Sequence, residues 1–431
     1  MSVKIKSFIM EGGERASLLI NNTSGLPVIH ENLYAMIHLR NQNRSISTIR
    51  ACLRDLVFFR DVCALRKLDL DKIFKLGNTL SYDEILSIVD LCKRKKSYVL
   101  NGALEAKPTN IVLINPKRKE RSRHSIRIDL DSVEKGTFYN RISNIISYCE
   151  WLATYLMPDD DKNKKSEMIT LLKQFRPSDR FAESNNEFKS LTECEFNKIL
   201  EVVQFNSKKN PWKSESVRFR NMMIFDLLAR DGIRRSELLN ITMDNIDFTN
   251  GHLRIRRNAN ASNDPRVSQP LVKTLGRNIC QSENSLKMIE DYIIYHRPQR
   301  TKTPYLIVSH GRGKNNGFPL SLRTLNSIFE DISNVVGFKV SPHMLRHTWN
   351  DDFSSNSEPL LESGEMTEKE VEDARSYHMG WKEGSGTARI YTKRYNEKKA
   401  MKLALDMQKK NLKKTNQIKL SEGIEEKLHV C

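Results

Sequence analysis

The stretch His343-Met-Leu-Arg346-His347-Thr348 decides how this sequence is interpreted, together with Met379-Gly380-Trp381 and Thr387-Ala-Arg-Ile-Tyr391 further along. These stretches supply an imidazole, a guanidinium, an indole and a phenol in chain order. An arginine fork can hold phosphate oxygens in a bidentate manner, and a tyrosine oxygen can act as a nucleophile that forms covalent intermediates. The set of side chains is therefore suited to attack on a phosphodiester without a metal ion.

A second polar set lies upstream in Gly232-Ile-Arg234-Arg235-Ser236-Glu237-Leu238, directly after an apolar helical segment. The spacing predicts that Arg234 lies at the turn where the next helix begins, which is a favourable place for an anion. Glu237 is one helical turn further along, so its carboxylate could fix the orientation of the guanidinium. An exposed ion pair on a helix surface explains the same spacing, and only the combination with the downstream stretches favours a functional site.

His343 and His347 also have the i, i+4 spacing of a helical zinc pair. No glutamate follows His343 in the pattern of the zinc proteases, and the sequence offers no apparent third ligand. Pro342 suits the first turn of a helix on which His343 and Arg346 are one turn apart. We therefore predict a helix that directs His343 and Arg346 to one place, a buried and hydrogen-bonded His347, and no metal site.

The composition favours a polyanionic partner. The chain has 431 residues, with 71 Lys and Arg against 53 Asp and Glu, and its formal net charge is +18. Cationic side chains on phosphates release condensed counterions, so this excess favours nucleic acid, although a basic but otherwise ordinary surface has the same composition. Hydrophobic residues make up 39%, enough for proper cores, and the length suggests about two or three domains.

The cysteines and the N-terminal sequence indicate a reducing compartment. The seven cysteines are scattered and no pair has the Cys-x-x-Cys spacing, which argues against a zinc knuckle or a redox pair. Residues 1–10 contain too short an apolar run for a signal peptide, and no stretch is long and apolar enough to span a membrane. We expect a soluble, cytoplasmic protein.

The helix and strand signals divide the chain into five segments. A hydrophilic run that contains one short helix near Ile169–Phe175 predicts a linker, and Thr192 with Glu195 forms a capping box that opens a second domain. The predicted segments are an N-terminal arm or hairpin (1–29), a helical domain (30–157), the linker (158–186), a second domain (187–395) and a C-terminal helical tail (396–431).

The second domain is predicted to mix helices with short strands. Asn250-Gly251 fits the turn of a hairpin, and further strand-like pieces lie near 267–280. Helices are predicted at about 284–296, 321–335 and 343–353. The expected fold is mainly α with small β-sheet elements (α+β).

Basic clusters lie in the first domain. The run 93–96 ends a helix, where cations also suit the helix dipole, and the cluster at 115–128 lacks apolar periodicity. A loop lying on phosphates and a solvated loop both explain the second cluster. The predicted DNA-binding residues are Lys93, Arg94, Lys95, Lys96, Lys117, Arg118, Lys119, Arg121 and Arg123.

Residues 187–395 resemble the catalytic domain of the tyrosine recombinases, the phage integrase family. Gly-Ile-Arg-Arg-Ser-Glu-Leu resembles the first arginine box, His-Met-Leu-Arg-His-Thr the His-x-x-Arg box, and Met-Gly-Trp with Thr-Ala-Arg-Ile-Tyr the final box. Each motif alone is modest, but their combination in family order is specific. The resemblance implies a helical core-binding domain and a catalytic domain that form a C-shaped clamp around duplex DNA.

The resemblance implies a site-specific DNA recombinase or integrase of a mobile element. Such an enzyme cuts and rejoins DNA through a 3′-phosphotyrosyl intermediate, without metal, ATP or other cofactor. The implied partners are double-stranded recombination sites, a homo-tetramer whose C-terminal tails pack in trans, and accessory DNA-bending or directionality proteins. The implied location is the nucleoid-associated cytoplasm of a prokaryotic cell that carries a phage or other mobile element.

The resemblance also assigns roles in phosphate binding. Arg234 and Arg346 would clamp the scissile phosphate, and Glu237 occupies the acidic position of the first box. His343 would assist proton transfer. Trp381 stands where many members carry histidine, and an indole N–H can donate a hydrogen bond but cannot accept a proton. Proton chemistry would therefore fall on His343 and on the family lysine.

The general acid and the nucleophile come from the remaining motifs. Residues 270–277 resemble the hairpin that carries the family lysine, which makes Lys273 the expected general acid and Arg277 the alternative. Tyr391 fits the final box, whereas Tyr395 fits it less well, so Tyr391 is the expected nucleophile. His378, close to the position of Trp381, is an outside alternative for the histidine.

Other functions remain open at this point. A type IB topoisomerase or a telomere resolvase uses similar chemistry. A catalytically inactive DNA-binding protein or a metal-dependent nuclease also fits the charge.

Overall fold

The computed structural model describes residues 2–101, 131–158, 162–178, 190–299, 301, 303–311, 313, 315–382, 396, 397 and 399–410. The chain forms two compact units, one of Met1–Met10 with Arg15–Asn185 and the other of Glu11–Glu14 with Asn186–Cys431. The fold is mostly helical with small antiparallel sheets, which confirms the predicted class.

The first unit begins with a hairpin, one of the two forms expected of residues 1–29. Strands β1 (Val3–Ile9) and β2 (Arg15–Asn21) pair antiparallel, with Val3 opposite Asn21, and both contact helix α2. The helices of this unit are α1 (Ile29–Leu33), α2 (Ile46–Arg66), α3 (Leu70–Lys75), α4 (Tyr82–Cys92), α5 (Lys96–Asn101), α6 (Lys135–Leu156) and α7 (Lys162–Gln174), with a π-helical turn at Tyr34–Leu39.

The first unit has a large apolar core, and Arg15, Glu31 and Arg141 of this unit are also buried. Helices α2, α4 and α6 supply most of the core, and their buried side chains recur at helical spacing. Cys52, Cys63, Cys92 and Cys149 are buried there, whereas Cys194 and Cys280 of the second unit are exposed. Burial raises the pKa of the Cys52, Cys63 and Cys92 thiols to about 12 and that of Cys149 well above its usual value.

Helix α7 lies within the predicted linker but belongs to the first unit. It begins at Lys162, earlier than the short helix expected near Ile169–Phe175. Met168, Ile169 and Leu172 are buried in the core of the first unit. The charged residues at the start of the helix conceal this apolar face in the sequence.

The second unit contains a three-stranded antiparallel sheet in the order β3 (Ile246–Asp247), β4 (His252–Ile255) and β5 (Arg277–Cys280). Gly251 has φ +67 in the Asn250-Gly251 turn, as expected of this hairpin. The helices are α8 (Glu193–Val203), α9 (Glu215–Asp231), α10 (Arg235–Leu238), α11 (Glu283–Asp291), α12 (Leu322–Val336), α13 (Pro342–Glu362) and α14 (Glu368–Met379), with a π-helical turn at Tyr292–His296.

Two elements of the second unit differ from the expectation. Only Arg277–Cys280 of the stretch near 267–280 is a strand, and α13 continues to Glu362 rather than ending near residue 353. Helix α14 lies in a stretch that looks merely polar. Its N-terminus is capped by Thr367 and Glu370, the same signal that correctly marks α8 at Thr192.

The long connection between β4 and β5, residues 256–276, is anchored to the body of the second unit by Arg266. The Arg266 side chain is paired with Asp264 at 2.9 Å and donates hydrogen bonds to the carbonyl oxygens of Leu239 and Leu320. The Tyr305 ring lies against the guanidinium, 4.4 Å from it. The loop is therefore ordered although it lacks regular structure. Over the part of the chain described, no helix combines the length and apolar character that crossing a membrane requires.

Candidate active site

Arg234 and Glu237 lie at the start of α10, as their spacing predicts. Arg234 is the N-cap residue, and its backbone N–H donates to Glu237 Oε2 at 3.0 Å. Arg234 Nη1 lies 3.5 Å from Glu237 Oε1. The Glu237 carboxylate is fully buried, whereas the Arg234 side chain is 27% exposed. The guanidinium therefore has one side fixed by protein and another accessible to a ligand.

Arg277, the alternative general acid, is buried in a short ion pair instead. Its Nη2 donates to Glu237 Oε2 at 2.9 Å, and its Nε donates to the carbonyl oxygen of His378. A guanidinium stays protonated in proteins, so a buried and paired one is poorly suited to deliver a proton. The buried ion pair therefore argues against Arg277 as the general acid, and the role of Lys273 stays a prediction.

Opposing effects set the charge of Glu237. Burial raises the pKa of this carboxyl, but the Arg277 charge and hydrogen bond, the Thr274 hydroxyl and the Arg346 charge lower it further. The pKa of Glu237 therefore lies below its usual value. The residue is a carboxylate at neutral pH and balances part of the surrounding positive charge.

Arg346 is buried on α13 and joins distant segments. Its Nη1 donates to the carbonyl oxygen of Gly232 at 2.7 Å and its Nη2 to that of Met379 at 3.1 Å. Only 1% of Arg346 is exposed. Gly232 has φ +57, and a Cβ there would lie 2.7 Å from Trp349 Cγ, so only glycine permits this close approach.

His343 and His347 are on the first turns of α13, as predicted. His343 is exposed and His347 is buried, and their rings meet edge to face with centroids 4.7 Å apart. Among the described residues there is no group of three His, Cys, Asp or Glu side chains that could hold a metal. The zinc interpretation of the i, i+4 pair therefore gains no ligand from the described fold.

Trp381 is buried against the catalytic candidates, since its ring lies 5.6 Å from the Arg346 guanidinium. His378 has a different setting. Its Nε2 is 2.9 Å from the carbonyl oxygen of Asp231, and its ring stacks on Trp349 at 4.4 Å. Burial, followed by the charges of nearby arginines, lowers the pKa of His378, so it is neutral and engaged in packing.

Lys273 is exposed in the β4–β5 loop, next to the buried Thr274. Thr274 Oγ1 donates to Glu237 Oε1 at 2.5 Å. Leu275 N donates to the carbonyl oxygen of Gly380 at 3.0 Å. The loop that carries Lys273 is therefore bonded both to the first box and to the turn that precedes Trp381.

Several predicted residues lie outside the described part of the chain, namely Tyr391, Tyr395, Lys117, Arg118, Lys119, Arg121 and Arg123. The run 93–96 is described and is partly used within the protein. Lys96 pairs with Asp61 at 3.1 Å, and Arg94 lies over the Tyr98 ring. Lys93 and Lys95 are exposed.

The cluster as a whole suits the binding of an anion with several oxygens. It brings Arg234, Arg346 and Trp381 together around the turn that carries the first arginine box. Glu237 fixes the orientation of Arg234 within this cluster. Guanidinium groups held in place before a ligand arrives stabilise developing charge on phosphate oxygens. Sequence reasoning missed the structural contribution of Thr274 and Gly380. The only signal for them was their position beside Lys273 and Trp381.

Comparison with known proteins identifies the class. Residues 189–398 match the family model described as "Phage integrase family". Residues 189–398 therefore match the phage integrase family, the tyrosine recombinases, as the motifs in this region indicate.

Particular relatives agree with this assignment. The chain is 30% identical over 162 residues to tyrosine recombinase XerA of Pyrococcus furiosus. The aligned region covers 37% of this chain and 46% of the relative. It is 26% identical over 210 residues to the TnP I resolvase of Bacillus thuringiensis. That aligned region covers 48% of this chain and 59% of the relative. The chain thus spans about half the length of the curated relatives that it matches.

A solved structure shares the fold. The XerH site-specific recombinase, crystallised in a post-cleavage complex with its palindromic difH substrate, aligns with a TM-score of 0.52 and 16% sequence identity. The alignment covers 89% of this chain and 90% of that one. At this identity the likeness concerns the fold alone.

Proposed function

We propose that this protein is a site-specific DNA recombinase that cuts and rejoins DNA through a 3′-phosphotyrosyl bond to Tyr391. One observation carries the proposal. Arg234 and Glu237 converge with Arg346, which lies far along the chain, on one polar cluster inside the region that matches the family. Tyr391 lies within the same matched region.

The proposed step begins with binding of the scissile phosphate. Arg234 and Arg346 would donate to its non-bridging oxygens, and the Trp381 N–H would add a further donor. Arg346 is held by two carbonyl oxygens, so its orientation is set before DNA binds. Glu237 would hold the first-box turn in place without contacting the phosphate.

The proposed chemistry transfers the phosphate from a sugar to the enzyme. The Tyr391 oxygen attacks phosphorus and loses its proton to His343, while the bond to the 5′ oxygen breaks. Lys273 gives a proton to that oxygen, which leaves as a free hydroxyl. Rejoining runs these transfers in reverse from another strand. Because one phosphodiester replaces another of similar energy, the reaction needs no ATP or metal.

The proposed setting is a mobile element, with double-stranded DNA as substrate. The net charge of +18 and the exposed Lys93 and Lys95 support a DNA partner. We also propose a tetramer on DNA whose C-terminal helices pack on neighbouring protomers. Four apolar side chains of the helical residues 399–410 are each more than half exposed, which favours such packing: Met401, Leu403, Leu405 and Met407.

Covalent capture tests the proposal even though the target sequence is not specified. The full chain is mixed with a library of duplexes that carry a nick beside a randomised centre, so that cleavage releases a short fragment and traps the adduct. Protein-linked DNA is recovered after denaturation and sequenced. We expect specific duplexes to be enriched through a 3′ link, with a peptide adduct at Tyr391.

Controls separate the other functions. Tyr391→Phe should form no adduct, while Tyr395→Phe should still form one; an adduct with Tyr391→Phe would refute the mechanism. EDTA should have no effect on adduct formation, whereas it would stop cleavage by a metal-dependent nuclease. Joining of strands between two captured duplexes distinguishes a recombinase from a topoisomerase, which would only relax supercoils. Binding without any adduct would indicate an inactive DNA-binding protein.

A further inference from the structure

Three segments of the second unit meet around Arg277 in an arrangement that we call the clasp. It consists of Glu237, Thr274, Arg277 and the backbone of 378–380. Arg277 and Thr274 each bond one oxygen of the Glu237 carboxylate, at 2.9 and 2.5 Å. Both partners of the ion pair are almost completely buried, with side-chain exposures of 1% and 0%. The clasp therefore fixes the loop that carries Lys273 to the first arginine box.

The clasp also holds the turn that precedes Trp381. Arg277 Nε donates to the carbonyl oxygen of His378, and its Nη1 lies 3.3 Å from Thr274 Oγ1. Leu275 N donates to the carbonyl oxygen of Gly380 at 3.0 Å. A single guanidinium thus contacts the side chain of the first box, the lysine loop and the backbone of the final box.

The close approach at Gly380 shows how tightly these segments fit. Gly380 has φ +63, and a Cβ there would lie 2.6 Å from Arg277 Nη1 and 3.0 Å from the Leu275 carbonyl oxygen. Residues with a side chain rarely adopt this backbone conformation. The final-box turn therefore rests directly on the clasp, with no room for an intervening side chain.

Lys273 lies between two fixed points of its loop. Arg266 anchors the loop on one side, and Thr274 fixes it on the other. The loop backbone is therefore held on both sides of Lys273, while the Lys273 side chain is exposed.

We propose that Arg277 is a positioning residue that aligns Lys273 with the phosphate-binding arginines, so that proton delivery to the leaving oxygen depends on the clasp. The inference rests on the proposed recombinase function. Removing Arg277 would leave Lys273 and the Arg266 anchor in place but remove the ion pair to Glu237, so that the Thr274 hydroxyl alone would bond the loop to that carboxylate. Lys273 would then be present but misaligned, and the variant would be slow to protonate the leaving 5′ oxygen.

A leaving group that needs no acid tests this directly. Two versions of a duplex recovered by covalent capture are prepared, one with the natural 5′ oxygen at the scissile phosphate and one with sulfur in its place. When Tyr391 attacks the second, the phosphorus–sulfur bond breaks and the thiolate leaves with the electron pair. A thiol is far more acidic than a sugar hydroxyl, so this departure needs no proton from Lys273.

The variants Lys273→Ala and Arg277→Met should behave alike. On the oxygen duplex, each should form adduct at least about 100-fold more slowly than the wild type. On the sulfur duplex, each should return to within about tenfold of the wild-type rate. Thr274→Val is the milder second variant if Arg277→Met does not fold, and the sulfur duplex should also rescue it. Arg346→Lys should remain slow on both duplexes, because its defect lies at the non-bridging oxygens.

Arg375→Met is the matched control. Arg375 is a buried arginine of the same unit that donates to Ser354 Oγ at 2.8 Å, outside the clasp. Its loss should lower stability without an oxygen-specific rate defect. Folded Arg277→Met or Thr274→Val protein that is equally slow on both duplexes overturns the inference. A wild type that captures no duplex covalently, so that no substrate is recovered, overturns the proposed function itself.

Discussion

Arg141 in the first unit and Arg346 in the second have nearly the same local environment. Arg141 is buried, donates to the carbonyl oxygens of Cys92 and Arg94 at 2.7 and 2.8 Å, and lies 3.8 Å from the Phe58 ring. Arg346 is buried, donates to two carbonyl oxygens, and lies 5.6 Å from the Trp381 ring. Immediate contacts therefore do not distinguish a structural arginine from a candidate catalytic one.

The wider surroundings do distinguish them. Among the described residues, Arg141 lies in a unit that buries two other charged side chains, Arg15 and Glu31. Arg346 lies in a unit that buries more of them, among them Asp231, Glu237 and Arg277. Burying charges is costly and seldom stabilises a fold more than apolar packing would. A unit that gathers several buried charges around one arginine is therefore a stronger candidate for a functional site than a single buried arginine.

The strongest test replaces each arginine by methionine. Both changes remove hydrogen bonds from buried carbonyl groups and should lower the free energy of unfolding by about 1–3 kcal/mol. Arg346→Met should also slow adduct formation by about 1,000-fold, because a preorganised donor is lost. Arg141→Met should leave the rate of folded protein within a few-fold of wild type. Urea unfolding measures the loss of stability, and single-turnover adduct formation measures the loss of rate. Equal rate losses in the two variants would contradict a catalytic role that Arg346 has and Arg141 lacks.

A second test compares the buried glutamates of the two units. Glu237→Gln leaves the Arg277 charge buried without its full partner and should cost about 3 kcal/mol in free energy of unfolding. Glu31→Gln should cost less than about 1 kcal/mol, because its partner Arg60, at 2.6 Å, keeps a 35% exposed side chain and stays hydrated. Similar losses in urea unfolding would contradict this account.

The Glu237 change also has a pH signature. The folded pKa of this carboxyl lies below its usual value, so its ionisation stabilises the fold above about pH 4.5 and that contribution is lost as the pH falls through the folded pKa. The wild type should therefore lose stability in acid more steeply than Glu237→Gln. Parallel acid profiles would show that the clasp does not hold this carboxylate in its ionised form.

Asp231 provides a test of opposite sign. Burial raises its pKa to about 7, and Gln281 donates to its Oδ1 at 3.1 Å. The folded state holds a proton that the unfolded state releases, so this group destabilises the fold as the pH rises from about 4 to 7. Asp231→Asn should raise the free energy of unfolding at pH 8 by about 2 kcal/mol and have little effect at pH 4. The exposed Asp373→Asn is the control and should show no such pH-dependent gain.

The smallest effect is expected in the first unit. Lys95 is exposed, whereas Lys96 pairs with Asp61. If Lys95 contacts a phosphate, Lys95→Ala should weaken DNA binding a few-fold and reduce the salt dependence of the affinity by about one charge. Lys96→Ala should change the salt dependence less. Binding titrations at several salt concentrations decide this, and adduct formation at saturating DNA should be unchanged for both variants.

The sequence is sufficient for the local parts of the fold. The capping pair Thr192 and Glu195 marks α8, and Asn250-Gly251 marks the β3–β4 turn, because these signals lie within a few residues of their effect. Helix α14 begins with the same capping signal, at Thr367 and Glu370, but its residues are mostly polar, so apolar periodicity predicts no helix there. Helix α7 appeared too short because its first turns are charged.

The candidate site likewise has residues that the sequence predicts and residues whose role it does not predict. Arg234 with Glu237 and His343 with Arg346 could be predicted, since one helical turn separates the members of each pair. The role of Arg277 could not, because it depends on Glu237, 40 positions earlier in the chain, and on the backbone of His378, 101 positions later. Sequence alone left Arg277 as an alternative acid, and only tertiary contacts show that it is buried in an ion pair.

The distribution of cysteines gives the two units different chemical reporters. Thiolates react with maleimides, and the buried thiols of the first unit have raised pKa values, so Cys194 and Cys280 should be labelled first. With Cys431 replaced by serine, a dye on either site would report on the second unit during DNA binding. Slow labelling of the remaining thiols would then time the opening of the helical unit, within the same molecule and without the introduction of a new cysteine.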